Sequence, residues 1–237
     1  METIVLNGWA AGERAWSLCE TVVSHSPEND ATVFSYTDQL EGKAEEAMRS
    51  VDSAIVVGWS MGGSRALKLA IEFPEKIRGL VLLAATPRMM EDRECSDPAL
   101  ANTPSGVWRG MTPRRLAALQ EGFRLTRGEG LFGMPPGRVN PYEFDSEENL
   151  ARGIEYLRAT DDRRALLELS ASGKSKFPVY VFHCERDGIV RPENASFLAR
   201  VFPQAAVEML PGAEHALPVV IPDRIDAALR ELSYGRR

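Results

Sequence analysis

An α/β fold is expected: a mostly parallel sheet of about six strands, with helices on its faces and one helical insertion. Three features point to it. Short apolar, β-branched runs alternate with helical segments along most of the 237 residues, the order that winds strands into one parallel sheet through right-handed crossovers. The run 177–182 is apolar almost throughout, as a strand buried on both faces must be. Residues 88–172 then break the alternation with helical segments and no convincing buried strand. A chain of this length carries one such domain with a sizeable core, here residues 1–87 and 173–237, with 88–172 as a helical lid.

Each element has a local reason. Thr3 to Asn7 reads as the first strand and Glu13 to Thr21 as a first helix. Ala31 to Tyr36, rich in β-branched and aromatic residues, is the second strand, and Gly42 to Ser50 a helix. Ala54 to Val57 is the third strand, and Met61 to Phe73 its crossover helix, stopped by Pro74. Leu80 to Ala84 is the fourth. Inside the insertion, Pro113 to Leu125 and Ser146 to Ala159 have helical character, separated by the Gly/Pro-rich stretch 128–141. Phe177 to Phe182 is the fifth strand, followed by the helix Pro192 to Phe202 with proline near its start. Ala206 to Leu210 is the sixth strand and Pro222 to Leu232 the last helix. An insertion of this size between two strands is placed to cover their carboxyl ends, where open α/β sheets bind ligands.

Composition excludes several classes. Hydrophobic content is 44%, ordinary for a globular domain, and no apolar run approaches the roughly 20 residues that span a bilayer. The start, Met1-Glu2-Thr3-Ile4-Val5-Leu6, has no basic n-region and reads directly as a strand, so no signal peptide is expected. Cys19, Cys95 and Cys184 are scattered without metal-ligand spacing, which suggests reduced thiols in a cytoplasm. No metal and no cofactor are expected. A net charge of −6 argues against general nucleic-acid binding.

The chemistry concentrates at Gly58-Trp59-Ser60-Met61-Gly62, directly after the apolar strand 54–57. A strand, a Gly-x-Ser-x-Gly turn and a helix in succession form a nucleophile elbow. The serine must sit at the tip of a turn sharp enough to strain its backbone. Gly58 and Gly62 lack a Cβ, so strand and helix can close on either side of it. The competing reading is a serine that caps a helix in a non-catalytic domain.

A serine hydroxyl needs a base to take its proton and an acid to orient that base. The order expected after such an elbow is serine, acid, histidine. His25 precedes the second strand, and His183 ends the fifth, before the acid candidate. His215, in the loop after the sixth strand, has both the order and the edge of the sheet that a base requires. Asp187, in the loop after the fifth strand and backed by the turn-forming Gly188, is the acid; Glu185 is its nearest rival. The oxyanion needs preorganised donors. The backbone N–H of Met61, at a helix start, is one. The other is the backbone N–H of Trp9, in the loop Asn7-Gly8-Trp9-Ala10, where Gly8 allows a close turn. Trp9 also fits a plain core aromatic, and its backbone and side chain can serve both ends.

With these residues together the chain resembles the α/β-hydrolase superfamily over nearly its whole length. More narrowly it is similar to the family of pimeloyl-[acyl-carrier protein] methyl ester esterases of biotin synthesis. The stretches that carry the likeness are Asn7 to Ala10, Gly58 to Gly63, Phe73 to Val81, Ala85 to Arg88, Asp187 to Val190 and Ala213 to Pro218. Two departures stand out. Relatives usually have His-Gly where this chain has Asn7-Gly8; asparagine can still hydrogen-bond and buttress the oxyanion loop. The chain also opens at what is normally an internal strand. The resemblance therefore implies a missing N-terminal hairpin, with the sheet edge near Thr3 or Ala31 exposed or covered by a partner.

The resemblance implies ester hydrolysis on an acyl chain borne by acyl-carrier protein, giving pimeloyl-carrier protein and methanol. Charge supports it independently. From Arg109 to Arg138 six arginines face two glutamates, a net +4 segment in a −6 protein. Arg114, Arg115, Arg124 and Arg127 within it are the candidates for docking an acidic carrier protein. A solvated helix face without a partner is the alternative, and the acid-rich 143–148 can neutralise part of the patch. A small-molecule carboxylesterase or thioesterase would use the same triad without a protein partner. A lyase-type relative in menaquinone synthesis shares the triad but finds no supporting lid feature. A non-enzymatic binding module is disfavoured by the complete, correctly ordered set of Ser60, Asp187 and His215.

Overall fold

The strands β1 (Glu2–Leu6), β2 (Asp30–Phe34), β3 (Ala54–Trp59), β4 (Ile77–Leu83), β5 (Val179–Cys184) and β6 (Ala206–Leu210) pair into one sheet in the order β2-β1-β3-β4-β5-β6. Every pairing is parallel. The structure, a computed structural model, describes residues 2–24, 30–90, 100, 103, 113–126, 139–143, 145–212 and 214–234. Its helices are α1 (Glu20–Val23), α2 (Tyr36–Leu40), α3 (Lys43–Ser50), α4 (Met61–Glu72), α5 (Pro113–Thr126), α6 (Glu147–Ala159), α7 (Arg163–Ala171), α8 (Glu193–Val201), α9 (Leu217–Val220) and α10 (Pro222–Tyr234).

The inner strands of the sheet are buried on both faces, and the two-residue period of a strand sorts their side chains between them. Val5, Val57, Val81 and Leu83 join Ile225 and Leu229 of α10 on one face. Ile4, Leu6, Val56, Leu80 and Leu82 meet Leu67 of α4, Met48 of α3 and Phe197 of α8 on the other. Every residue of β3 is buried. The winding reverses between β1 and β3: the chain first runs outward to β2, then back past β1 to β3 and onward to β6. That switch point sets the loops after β1 and β3 side by side at the carboxyl edge, where a crevice opens. Those loops carry Trp9 and Ser60.

Several expected elements shift, each for a physical reason. The helix expected over Glu13 to Thr21 is a 3-10 turn at Glu13–Trp16 followed by α1. Trp16 is pulled inward, its indole N–H donating to the Asn7 side chain. The start of α1 is capped by Asp226 of α10, which accepts from the amides of Glu20 (2.9 Å) and Thr21 (3.0 Å). Tyr36 leaves the strand and opens α2, because Ser35 and Asp38 form a capping box. The helix α7, not expected, lies inside the region assigned to the insertion, yet Leu166 and Leu169 pack into the sheet-face core. The edge strand is β2; β1, which carries Thr3, lies in the interior.

Candidate active site

At the end of β3, Ser60 adopts φ 56° and ψ −114°, a conformation that L-residues avoid at a cost of roughly 1–3 kcal/mol. The surroundings enforce it. The Ser60 amide donates to Leu83 O (2.9 Å), and Ser60 O accepts from the Ser64 amide (3.1 Å) in the first turn of α4. A Cβ on Gly58 would lie 2.3 Å from Gly62 O, and one on Gly62 would lie 2.1 Å from Leu6 O. Both glycines are therefore required by backbone contact, and Gly63 closes on the Ala85 Cβ in the same way, at 2.6 Å.

Three chain segments converge on the serine. His215, in the loop after β6, places Nε2 2.8 Å from Ser60 Oγ. Its Nδ1 lies 2.8 Å from Asp187 Oδ2. The other carboxylate oxygen of Asp187 accepts from the amides of Ile189 (2.7 Å) and Val190 (3.0 Å), which fixes the plane of the group. The Trp59 indole donates to His215 O (2.8 Å) and fixes the base from the strand side. Asp187 is fully buried. Burial alone would raise its carboxyl, but the charge and hydrogen bond of His215, with His183 and the Ile189 amide, hold it below the ordinary carboxylate value. A His215 ring carrying its proton on Nδ1 would donate to Asp187 and accept from Ser60 through Nε2.

The rival residues fall elsewhere. Glu185 is exposed. His183 is buried beneath the site, its Nε2 3.0 Å from Val190 O and 3.8 Å from Asp187 Oδ2. Burial holds its ring neutral despite the neighbouring carboxylate. His25 lies outside the described residues.

The loop after β1 is built tightly against the serine. A Cβ on Gly8 would sit 3.2 Å from the Trp59 ring and 3.4 Å from Ser60 Cβ, so glycine lets the loop pack closely against both residues. Asn7 braces the loop, donating from Nδ2 to Gly12 O (3.3 Å) and accepting from Trp16 Nε1; its carbonyl accepts from Gln39 Nε2 (2.9 Å). Met61 opens α4, so its N–H belongs to the first turn, which has no intrahelical acceptor. The two backbone donors expected at the site thus belong to segments that flank Ser60.

A cleft of about 470 Å³, counting its open mouth, leads to Ser60 and His215. Its walls are Trp9, Trp59, Met89, Tyr142, Ile154, Leu157 and Ile189, and among the described residues no Asp, Glu, Lys or Arg lines it. Most of these residues were not singled out by sequence. Ile154 and Leu157 had a signal, the i, i+3 apolar spacing on α6. Tyr142, from the irregular chain before α6, had none. Its ring lies 5.8 Å from that of Trp59, and burial with the nearby Asp187 charge pushes its phenol well above the ordinary tyrosine value, so it stays protonated.

The arginines proposed for docking are not gathered into one patch by the described residues. Arg114 is exposed near the start of α5. Arg124 is also exposed, but it forks onto Glu121 (2.7 and 2.8 Å) and lies 3.9 Å from Glu147. Arg127 and the side chain of Arg115 lie outside the described residues. Among the described residues, no group of three or more His, Cys, Asp or Glu could hold a metal ion, and no helix is long and apolar enough to cross a membrane.

Comparison with known proteins places this geometry. The pimeloyl-[acyl-carrier protein] methyl ester esterase of Yersinia pseudotuberculosis serotype IB is 26% identical over 244 residues, covering 91% of this chain and 86% of its own. The protein of the same name from Nitrosomonas europaea is 26% identical over 246 residues, covering 94% and 92%. Among solved structures, a hydrolase from Pseudomonas aeruginosa superposes with a TM-score of 0.69 at 18% identity over 99% of this chain and 90% of that one. An esterase from Exiguobacterium antarcticum superposes with a TM-score of 0.65 at 18% identity, over 99% and 91%. Residues 23–220 match the family described as alpha/beta hydrolase fold, and the chain belongs to that family.

Proposed function

We propose that this protein is a serine carboxylesterase that hydrolyses the methyl ester of pimeloyl-[acyl-carrier protein] in biotin biosynthesis, in a cytoplasm. The observation that carries the reading is the unbroken hydrogen-bonded chain from Ser60 Oγ through His215 to Asp187, at 2.8 Å per link, at the floor of an apolar cleft. In this reading His215 Nε2 takes the Ser60 proton as Oγ attacks the ester carbonyl. Asp187, ionised and held by two amides, stabilises the imidazolium that forms. The N–H groups of Trp9 and Met61 receive the oxyanion. Collapse returns the proton from His215 to the leaving methoxide, methanol departs, and an acyl-enzyme on Ser60 remains. Water, deprotonated by the same histidine, then releases the free carboxylate.

The apolar walls formed by the described residues suit a methylene chain and a neutral ester. The names of the relatives from Yersinia and Nitrosomonas support the carrier-bound substrate. The insertion 88–172 acts as the lid. Its residues at the cleft are Met89, Tyr142, Ile154 and Leu157, whereas α7 is fastened to the core. Arg114, Arg115, Arg124 and Arg127 steer the acidic carrier.

A second reading, a small-molecule carboxylesterase or thioesterase, is favoured by the engagement of Arg124 with Glu121 and Glu147, which reduces the charge left for a partner. Complementation separates the two. The gene should restore growth without biotin to an auxotroph lacking its esterase, and the Ser60→Ala form should not. Serine-dependent hydrolysis of soluble esters with no complementation would favour the second reading.

A further inference from the structure

The loop that carries the Trp9 amide is held from outside as well as by Asn7 within it. Ala10 within it is fully buried and adopts φ 58°, in the left-handed region that alanine avoids. The insertion holds that turn from outside. Gly12 N–H donates to Pro141 O (3.0 Å), Glu143 N–H donates to Ala10 O (2.9 Å), and Ala11 forms an antiparallel bridge with Tyr142. The indole of Trp9 reaches across and donates from Nε1 to Leu150 O (3.0 Å), a carbonyl inside α6 whose second lone pair is available to it. One turn further along α6, a Cβ on Gly153 would lie 2.5 Å from Trp9 Cδ1 and 2.9 Å from Nε1. Glycine there lets the helix close directly onto the ring, and Ile154 packs against it as well.

We infer that the Trp9 side chain is a latch: through Leu150 O and Gly153, α6 positions the loop whose backbone N–H receives the oxyanion, so the insertion sets the geometry of the chemistry as well as covering it. This rests on the reading of Ser60 as nucleophile and of the Trp9 N–H as oxyanion donor. Leu150 and Gly153 touch no reacting atom; they are positioning residues. An oxyanion donor works only when preorganised, and a displacement of about 1 Å at such a site costs on the order of a hundredfold in rate. A loop with a strained residue and a long-range tether relaxes once the tether is cut.

The test uses Trp9→Phe, which keeps an apolar ring and removes the N–H, and Gly153→Ala, which drives a methyl group into the ring. Turnover of a soluble p-nitrophenyl ester is measured with the affinity of a trifluoromethyl ketone, whose tetrahedral adduct carries the oxyanion. Each variant should lose about tenfold or more in kcat with KM within about twofold, and ketone affinity should fall by the same factor as kcat/KM. A raised KM with unchanged kcat would make Trp9 a pocket wall and overturn the latch; so would kcat within about twofold of wild type in both variants. If one variant does not fold, the other decides. Ser60→Ala, run alongside, separates the levels. Retained turnover there removes the underlying reading, whereas an inactive Ser60→Ala with an unaffected Trp9→Phe removes the latch alone.

Discussion

Replacing Gly62 by alanine tests whether the nucleophile turn is as tightly determined as its contacts indicate. The added Cβ would lie 2.1 Å from Leu6 O and 2.7 Å from Asn7 O, both backbone atoms at the end of β1 that cannot swing aside. An ordinary carbon–oxygen contact is about 1 Å longer, so the first turn of α4 must retreat from β1 by about that much. Ser60 and the Met61 amide sit on the moving side, and the Trp9 amide follows on the fixed side. The displacement thus widens the gap between the two proposed oxyanion donors. A misplacement of about 1 Å in a preorganised site costs on the order of 10² in rate. Overpacking of this kind costs about 1–3 kcal/mol of stability, or roughly 2–4 °C in Tm per kcal/mol for a chain of this size. The measurement is steady-state hydrolysis of p-nitrophenyl acetate together with a thermal melt. The expected result is kcat reduced about a hundredfold with KM little changed, because the cleft walls on α6 stay in place. A variant with kcat within about threefold of wild type and an unshifted Tm would refute the contact argument.

Further outcomes follow from the same geometry. Asp187→Asn should lower kcat by on the order of 10⁴, and Glu185→Gln, at an exposed position, should stay near wild type; the reverse pattern would reassign the acid. Asp187 titrates below its unfolded value of about 4. Its stabilisation is therefore present above that pH and is lost as pH falls through the lower folded value. Acid unfolding monitored by circular dichroism should lose this component in Asp187→Asn; an unchanged acid limb would count against it. Reversal of Arg114 and Arg124 to glutamate should raise KM for a carrier-bound ester and leave a soluble ester nearly unchanged. The wild-type preference for the carrier-bound form should shrink as salt rises, because exposed charges are screened over roughly 8 Å at physiological ionic strength. Equal losses on both substrates would instead indicate a misfolded lid.

The parallel sheet was legible because each strand is a compact apolar run next to a helix, and chain order then fixes which loops reach the carboxyl edge. That Ser60, Asp187 and His215 would come together was legible for the same reason: they follow one another in a fixed order on those loops. The supports were not. Trp16 bonds Asn7 and Asp226 caps α1 through contacts that local patterning does not contain. Tyr142 reaches the cleft from an irregular stretch with no periodicity to place it. The capping box at Ser35 and Asp38 sits at the end of a β-branched and aromatic run that by itself reads as strand. The helix α7 was not expected, although Leu166 and Leu169 stand at the i, i+3 spacing of a helix face. Charge counting along the chain likewise could not foresee that Arg124 closes onto Glu121.

The central claim is that Ser60 is the nucleophile of an esterase relay, and kcat for Ser60→Ala tests it most directly. Among the described residues the side chain hydrogen-bonds to His215 alone, so its loss should leave the fold and Tm intact. The account predicts that turnover of a p-nitrophenyl ester falls by on the order of 10⁶, with an unaltered circular dichroism spectrum. Turnover within about tenfold of wild type, from a folded variant, would contradict it.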